Sequence, residues 1–335
     1  MTPSPSSGWR IFGIELSPYS VKVRSYFRYK RIPHEWVVRH LGNMAEFQKH
    51  AKLPLVPLVL APDGGALQDS TPIVEALEAR FPEPSIHPPG AASAFLSALL
   101  EEYGDEWGNK WMFHYRWWYE PDQKSAARRI AAANLPGAPE AEVAKMAVAI
   151  ERRMVPRLSF VGSNEATRPL IEASFERVVA LLEAHLAARP YLFGGRPAFA
   201  DFGVWPQLYE LSTDPTPGAL LRARAPRVLA WVERMLDPAG GGPFEPWEAL
   251  APTLEPLLRE EVAGRFLPWS TANARALEAG EPEFTVDLGG RPFTQQTQKY
   301  HARSLRVLRE RYRAVPDRSA LDPILARTGC LAGLA

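Results

Sequence analysis

From Trp9 to Phe81 the apolar positions switch between short continuous runs and spaced stripes. Trp9-Arg10-Ile11-Phe12-Gly13-Ile14 is nearly all apolar and reads as a buried strand. Ser17-Pro18-Tyr19-Ser20 breaks it, and over residues 21–29 Val23, Tyr26 and Phe27 recur at helical spacing. A proline at 18 suits a first helical turn, where a missing N–H costs nothing, so Ser17 falls at a strand-to-helix junction beside free N–H groups. Ile32-Pro33-His34-Glu35-Trp36-Val37-Val38 reads as a second strand, residues 45–50 as a short polar helix or loop, and residues 53–60 as a strand entered through a proline. Asp63-Gly64-Gly65-Ala66 is a hairpin turn. Gln68-Asp69-Ser70-Thr71-Pro72 opens a helix with Asp69 or Ser70 as its cap and Ile73, Val74, Leu77 and Phe81 inward. Pro82-Glu83-Pro84 stops it, and Pro88-Pro89-Gly90 begins a linker.

Beyond the linker every stripe has helical period. Residues 92–111, 115–119, 123–133, 140–153, 169–188, 197–211 and 226–236 read as helices; the clearest is 169–188, with Ile171, Phe175, Val178, Val179, Leu182 and Leu186 on one face. Gly240-Gly241-Gly242-Pro243 is a break. A helix at 253–262, a small hairpin around Gly289-Gly290 and a basic helix at 295–312 follow it. The expected organisation is a disordered tail (1–8), an α/β domain (9–85), an all-helical domain (91–240) and an extension (241–335). The extension would wrap the helical domain or a partner subunit, or cover a cleft.

Composition narrows the function. A net charge of +1 gives no reason to expect nucleic acid or an anionic membrane surface, and no apolar run is long enough to span a bilayer. The Ser/Pro-rich residues 1–8 lack the apolar centre of a secretory signal. One cysteine, Cys330, excludes an internal disulfide and a dithiol pair, so a cytoplasmic setting is expected. Histidines are too sparse for metal-ligand spacing, and no glycine-rich phosphate loop is present.

Taken in order, Ser17-Pro18-Tyr19-Ser20, Ile32-Pro33-His34-Glu35, Val56-Pro57 and Gln68-Asp69-Ser70-Thr71-Pro72-Ile73-Val74 resemble the thioredoxin-like domain of the cytosolic glutathione transferases. The resemblance implies the glutathione transferase fold, thioredoxin-like and then all-α, with glutathione as co-substrate, no metal and a homodimer. Leu192-Phe193-Gly194-Gly195-Arg196-Pro197-Ala198-Phe199-Ala200-Asp201 is similar to that family's second-domain capping motif, but Ala198 stands where the capping hydroxyl belongs.

Residue roles follow from the same resemblance. Ser17, with Ser20 as alternate, would donate to the glutathione sulfur and favour thiolate over thiol. Val56, before a cis Pro57, would pair with the cysteinyl backbone. Asp69 and Ser70, assisted by Gln68, would hold the γ-glutamyl end. Lys52 would meet the glycyl carboxylate, with Lys49, His50 and Arg39 behind it. An aromatic run supplies Trp107, Trp111, His114, Tyr115 and Trp118 for a hydrophobic electrophile pocket, the bland alternative being core packing. Asp105, Arg116 and Glu102 are expected to form one buried charged network. The expected activity is transfer of glutathione to a hydrophobic electrophile. The alternatives are a non-catalytic binding or scaffold protein of the same fold and a glutathione-dependent lyase or isomerase.

Overall fold

The computed structural model describes residues 8–335, so the expected tail lies, apart from Gly8, outside the described residues. Strands β1 (Trp9–Gly13), β2 (His34–Val38), β3 (Leu58–Leu60) and β4 (Ala66–Gln68) form one mixed sheet in the order β2-β1-β3-β4. β1 runs parallel to β2, Trp9 facing His34, and antiparallel to β3, Ile11 facing Val59. Side-chain alternation sorts the two faces. Ile11 and Val59 join the main core with α1 (Pro18–Tyr29) and α3 (Ser70–Arg80), while Phe12, Leu58 and Leu60 pack on Phe47 of α2 (Met44–His50). The strand expected over 53–60 pairs only at Leu58–Leu60. Pro54 and Pro57 have no N–H to give a ladder.

The remaining helices are α4 (Ala91–Tyr103), α5 (Asn109–Trp118), α6 (Glu120–Asn134), α7 (Glu140–Met154), α8 (Arg168–His185), α9 (Phe199–Thr213), α10 (Pro215–Arg224) and α11 (Pro226–Arg234). α9 is buried on nearly all sides and forms the axis of the helical domain. α4 continues through a π-helical turn at Gly104–Gly108, where the backbones of α4 and α9 nearly touch. A Cβ on Gly203 would sit 2.4 Å from the Glu101 carbonyl oxygen, so no side chain fits there. At the start of α9 the cap hydroxyl is absent, as expected. Asp201 replaces it, accepting from Ala198 N at 2.8 Å, Leu192 N at 3.0 Å and Trp231 Nε1 at 2.9 Å. The chain is therefore a thioredoxin-like α/β domain followed by an all-helical domain.

The extension comprises α12 (Trp247–Leu257), a wide turn at Leu258–Phe266, α13 (Leu267–Glu278), a hairpin of β5 (Glu283–Asp287) and β6 (Pro292–Gln296), α14 (Lys299–Ala314), α15 (Leu321–Thr328) and α16 (Leu331–Leu334). The basic helix starts later than its composition suggests because Gln295 is held in the hairpin opposite Phe284. Lys110 pins that hairpin. Its ammonium donates to Gln295 Oε1 at 2.6 Å and Val161 O at 3.1 Å and lies 3.9 Å from the Trp269 ring centroid. No described helix is long and apolar enough to cross a membrane.

One buried group makes the fold acid-sensitive. His185, fully buried, donates from Nε2 to Leu192 O at 2.9 Å, and its Nδ1 meets Thr253 Oγ1 at 2.7 Å. Burial pulls its pKa from 6.5 down to about 4. The unfolded chain takes up this proton below 6.5 while the folded chain refuses it until about 4, so stability falls as pH drops through that window. Between pH 7 and 4.5 the native protein should lose about 2–3 kcal/mol more than His185→Gln, as read by urea unfolding.

Candidate active site

The N-termini of α1 and α3 face one cavity of about 250 Å³, walled by Tyr19, Leu55, Val56, Pro57, Asp69, Ser70 and Tyr300. The Val56-Pro57 peptide is cis. Neither the N–H nor the C=O of Val56 is hydrogen-bonded by a described residue. Ser70 is almost buried, and no side chain caps α3, so the N–H groups of Ser70 and Thr71 remain free at its mouth. Asp69 sits at φ 81°, in the left-handed region that a non-glycine residue rarely adopts. Burial pushes its carboxyl above the usual aspartate range, opposed by the Tyr300 hydroxyl that donates to it at 3.1 Å.

Ser17 is the N-cap of α1: its Oγ accepts from Ser20 N at 3.3 Å, and its own hydroxyl proton has no acceptor among the described residues. Ser17 is 9% exposed, and the residue of its turn that walls the cavity is Tyr19, not Ser17. Tyr19 spends its proton on Asp105 O at 3.1 Å. Ser20 is misplaced for the alternate role. It is fully buried, its hydroxyl is unpartnered, and it packs against Gly13 on the sheet side.

Three other expectations are corrected by geometry. Gln68 walls the cavity, but both ends of its amide are consumed: Oε1 accepts from the backbone N–H of Lys52 and Leu53, and Nε2 donates to Leu53 O and Leu55 O. It braces the proline-led loop rather than reaching for a ligand. Lys52 is exposed and does not wall the cavity. Arg39, named behind it, reaches the same loop at Pro54 O, 3.2 Å away. The aromatic pocket is core. Trp107 and Trp111 are fully buried and both donate to Ser174 Oγ, at 2.9 and 3.0 Å, while Tyr115 packs on Phe175. Trp118 is half-buried under Arg168.

His114 meets Ser163 Oγ at 2.7 Å through Nδ1 and Glu172 Oε1 at 3.2 Å through Nε2. The connectivity is that of a nucleophilic triad. Ser163 is 4% exposed and His114 wholly buried, however, so the group clamps the Ser163 loop and α8 to α5. Arg116 bonds Glu210 and Asp214, at 2.7 and 2.8 Å, apart from Asp105 and Glu102, so the expected single charged network is two.

Sequence reasoning missed two further contributors. Lys22 of α1 is wholly buried and donates to Thr71 Oγ1 at 2.9 Å, Glu101 Oε1 at 2.5 Å and Asp105 Oδ2 at 2.5 Å, joining the two domains beneath the cavity. Burial alone would strip its proton; the charges of Asp105 and Glu101 reverse this and hold Lys22 above the usual lysine range. α14 brings Tyr300 into the cavity wall from the far end of the chain. A lysine flanked by Val21 and Val23 was the one available hint of the first; nothing local marks the second.

The chain belongs to the glutathione S-transferase superfamily: the model for the glutathione S-transferase N-terminal domain matches residues 11–85, and that for the C-terminal domain matches residues 147–234. Among solved structures it is similar to a glutathione S-transferase from Methylobacterium radiotolerans in complex with glutathione sulfonate (22% identity, covering 68% of this chain and 89% of that one, TM-score 0.43). It is also similar to a Tau class enzyme from mango, Mangifera indica (21%, 75% and 99%, 0.42), and to the beta-etherase LigF from Sphingobium (19%, 68% and 94%, 0.46). No curated protein matches it. Among the described residues no group of three or more His, Cys, Asp or Glu is arranged to hold a metal ion.

Proposed function

We propose that the protein binds glutathione along Val56-Pro57 and ionises its thiol at the mouth of α1 for attack on a second substrate. The cavity where the N-termini of α1 and α3 meet carries this proposal. The γ-glutamyl carboxylate sits on the Ser70 hydroxyl and the free N–H groups of Ser70 and Thr71, where a helix end favours an anion. The ammonium goes to Asp69, whose carboxylate has acceptor sites left beside Tyr300. The cysteinyl backbone pairs with Val56, and the sulfur turns toward Ser17, whose hydroxyl proton is uncommitted and which, unlike Ser20, is not fully buried.

Calorimetric titration of the full-length protein with glutathione tests this. Binding is expected below millimolar, weakened about tenfold in Ser70→Ala by loss of a hydrogen bond to a charged group. No heat at millimolar glutathione would remove the proposal. A second reading, glutathione binding without turnover, is favoured by the near burial of Ser17. Under it the native protein and Ser17→Ala would show the same background rate.

A further inference from the structure

Tyr300 stands in the first turn of α14, in the extension, and walls the glutathione cavity together with Asp69 and Ser70. Its ring is 52% exposed at the rim, while its hydroxyl reaches inward to both oxygens of Asp69, 3.1 Å from Oδ1 and 3.3 Å from Oδ2. Among the described residues no other group hydrogen-bonds that carboxylate.

The rest of α14 holds the tyrosine in place. His301 pairs with Glu106 and Ser304 donates to Glu102, which fastens the helix to α4 and its π-helical turn. Arg311 pairs with Glu75 of α3, the helix that Asp69 precedes, and Leu305 and Leu308 are buried on the inner side of α14. The hydroxyl is therefore presented to Asp69 from a helix tied to both domains. It does two things there. A lone carboxylate turns about its side-chain bonds; a donor shared between its oxygens fixes its plane and leaves further lone pairs for a ligand. Burial and the charge of Glu106 push the Asp69 carboxyl toward its neutral form, and the Tyr300 bond, with Lys22 and Arg303, opposes this and favours the charge that an ammonium would meet.

We infer that Tyr300 is a positioning residue for glutathione: by orienting the Asp69 carboxylate it makes α14 of the extension the element that selects the free α-amino group of the γ-glutamyl end. The inference rests on the glutathione site proposed above and adds to it the source of that selectivity.

Glutathione and its deamino analogue glutaryl-cysteinylglycine, which carries hydrogen in place of the α-amino group, serve as probes. Each is titrated calorimetrically into the full-length native protein and into Tyr300→Phe, which keeps the ring and loses only the hydroxyl. The native protein should bind glutathione at least about tenfold more tightly than the analogue. Tyr300→Phe should weaken glutathione about five- to tenfold and leave the analogue's affinity unchanged, because the analogue has no ammonium for Asp69 to hold. A purely structural role for Tyr300 would weaken both ligands alike. Equal loss for both, no loss for either, or no native preference for glutathione would overturn the inference and leave the glutathione site standing. Binding of neither ligand by the native protein would remove the glutathione site itself, so the two failures are distinguishable.

Discussion

Lys22→Met is expected to lower the free energy of unfolding by about 3–5 kcal/mol, the cost of breaking a buried ion pair from one side. The three N–H groups of Lys22 meet three acceptors, one each on Thr71, Glu101 and Asp105; Lys22, Glu101 and Asp105 are shielded from water and Thr71 is half-buried. Methionine keeps most of the volume but leaves two buried carboxylates with the Thr71 hydroxyl as their nearest donor, at 2.7 Å from Glu101. Since Lys22 belongs to the α/β domain and Glu101 and Asp105 to the helical one, the loss falls on the joint between them. Adding Glu101→Gln and Asp105→Asn to Lys22→Met should recover much of the stability, because the uncompensated charge is then gone. Urea unfolding of the native protein, the single variant and the triple variant measures this. A loss under about 1 kcal/mol in the single variant would show that water or protonation already neutralises the cluster.

Ser17→Ala should reduce glutathione-dependent turnover by about ten- to a hundredfold. A hydrogen bond to a charged acceptor contributes about 1.5–3 kcal/mol, and the Ser17 proton is free to make one. The same change removes a helix cap, so some stability, about 0.5–2 kcal/mol, goes with it. Ser17→Thr separates the effects by restoring a hydroxyl that both caps and donates. Tyr19→Phe is the other control: its proton is committed to Asp105 O, so turnover should change little. Activity lost in Tyr19→Phe and kept in Ser17→Ala would move the donor role to the residue that walls the cavity.

The sheet, the helix starts and several residues that wall the cavity were legible because they rest on local rules. Strand runs, Pro18 at a helix start and the Asp63-Gly64-Gly65 turn each specify their own backbone, and Val56, Asp69 and Ser70 reach the cavity because those elements deliver them. Side-chain roles fixed by distant partners were not legible. Gln68 was read as a ligand-binding amide, but a loop rich in proline needed hydrogen-bond partners and took both its ends. The aromatic run carries pocket chemistry in its composition, yet its period puts Trp107, Trp111 and His114 on the inward side, where Ser174 and Glu172 meet them. Tyr300 is separated from Asp69 by most of the chain, and no spacing rule joins a basic helix to a strand-end carboxylate across that distance.

The central claim is that the mouth of α1 stabilises the anionic form of a bound thiol. The direct measurement is a pH titration of the ultraviolet thiolate absorbance of glutathione held by the full-length protein, beside free glutathione. A midpoint at least about one unit below the free thiol's value near 8.5 is expected, shifting back toward it in Ser17→Ala. Saturated protein that titrates with the free thiol, in both native and variant forms, would contradict the account.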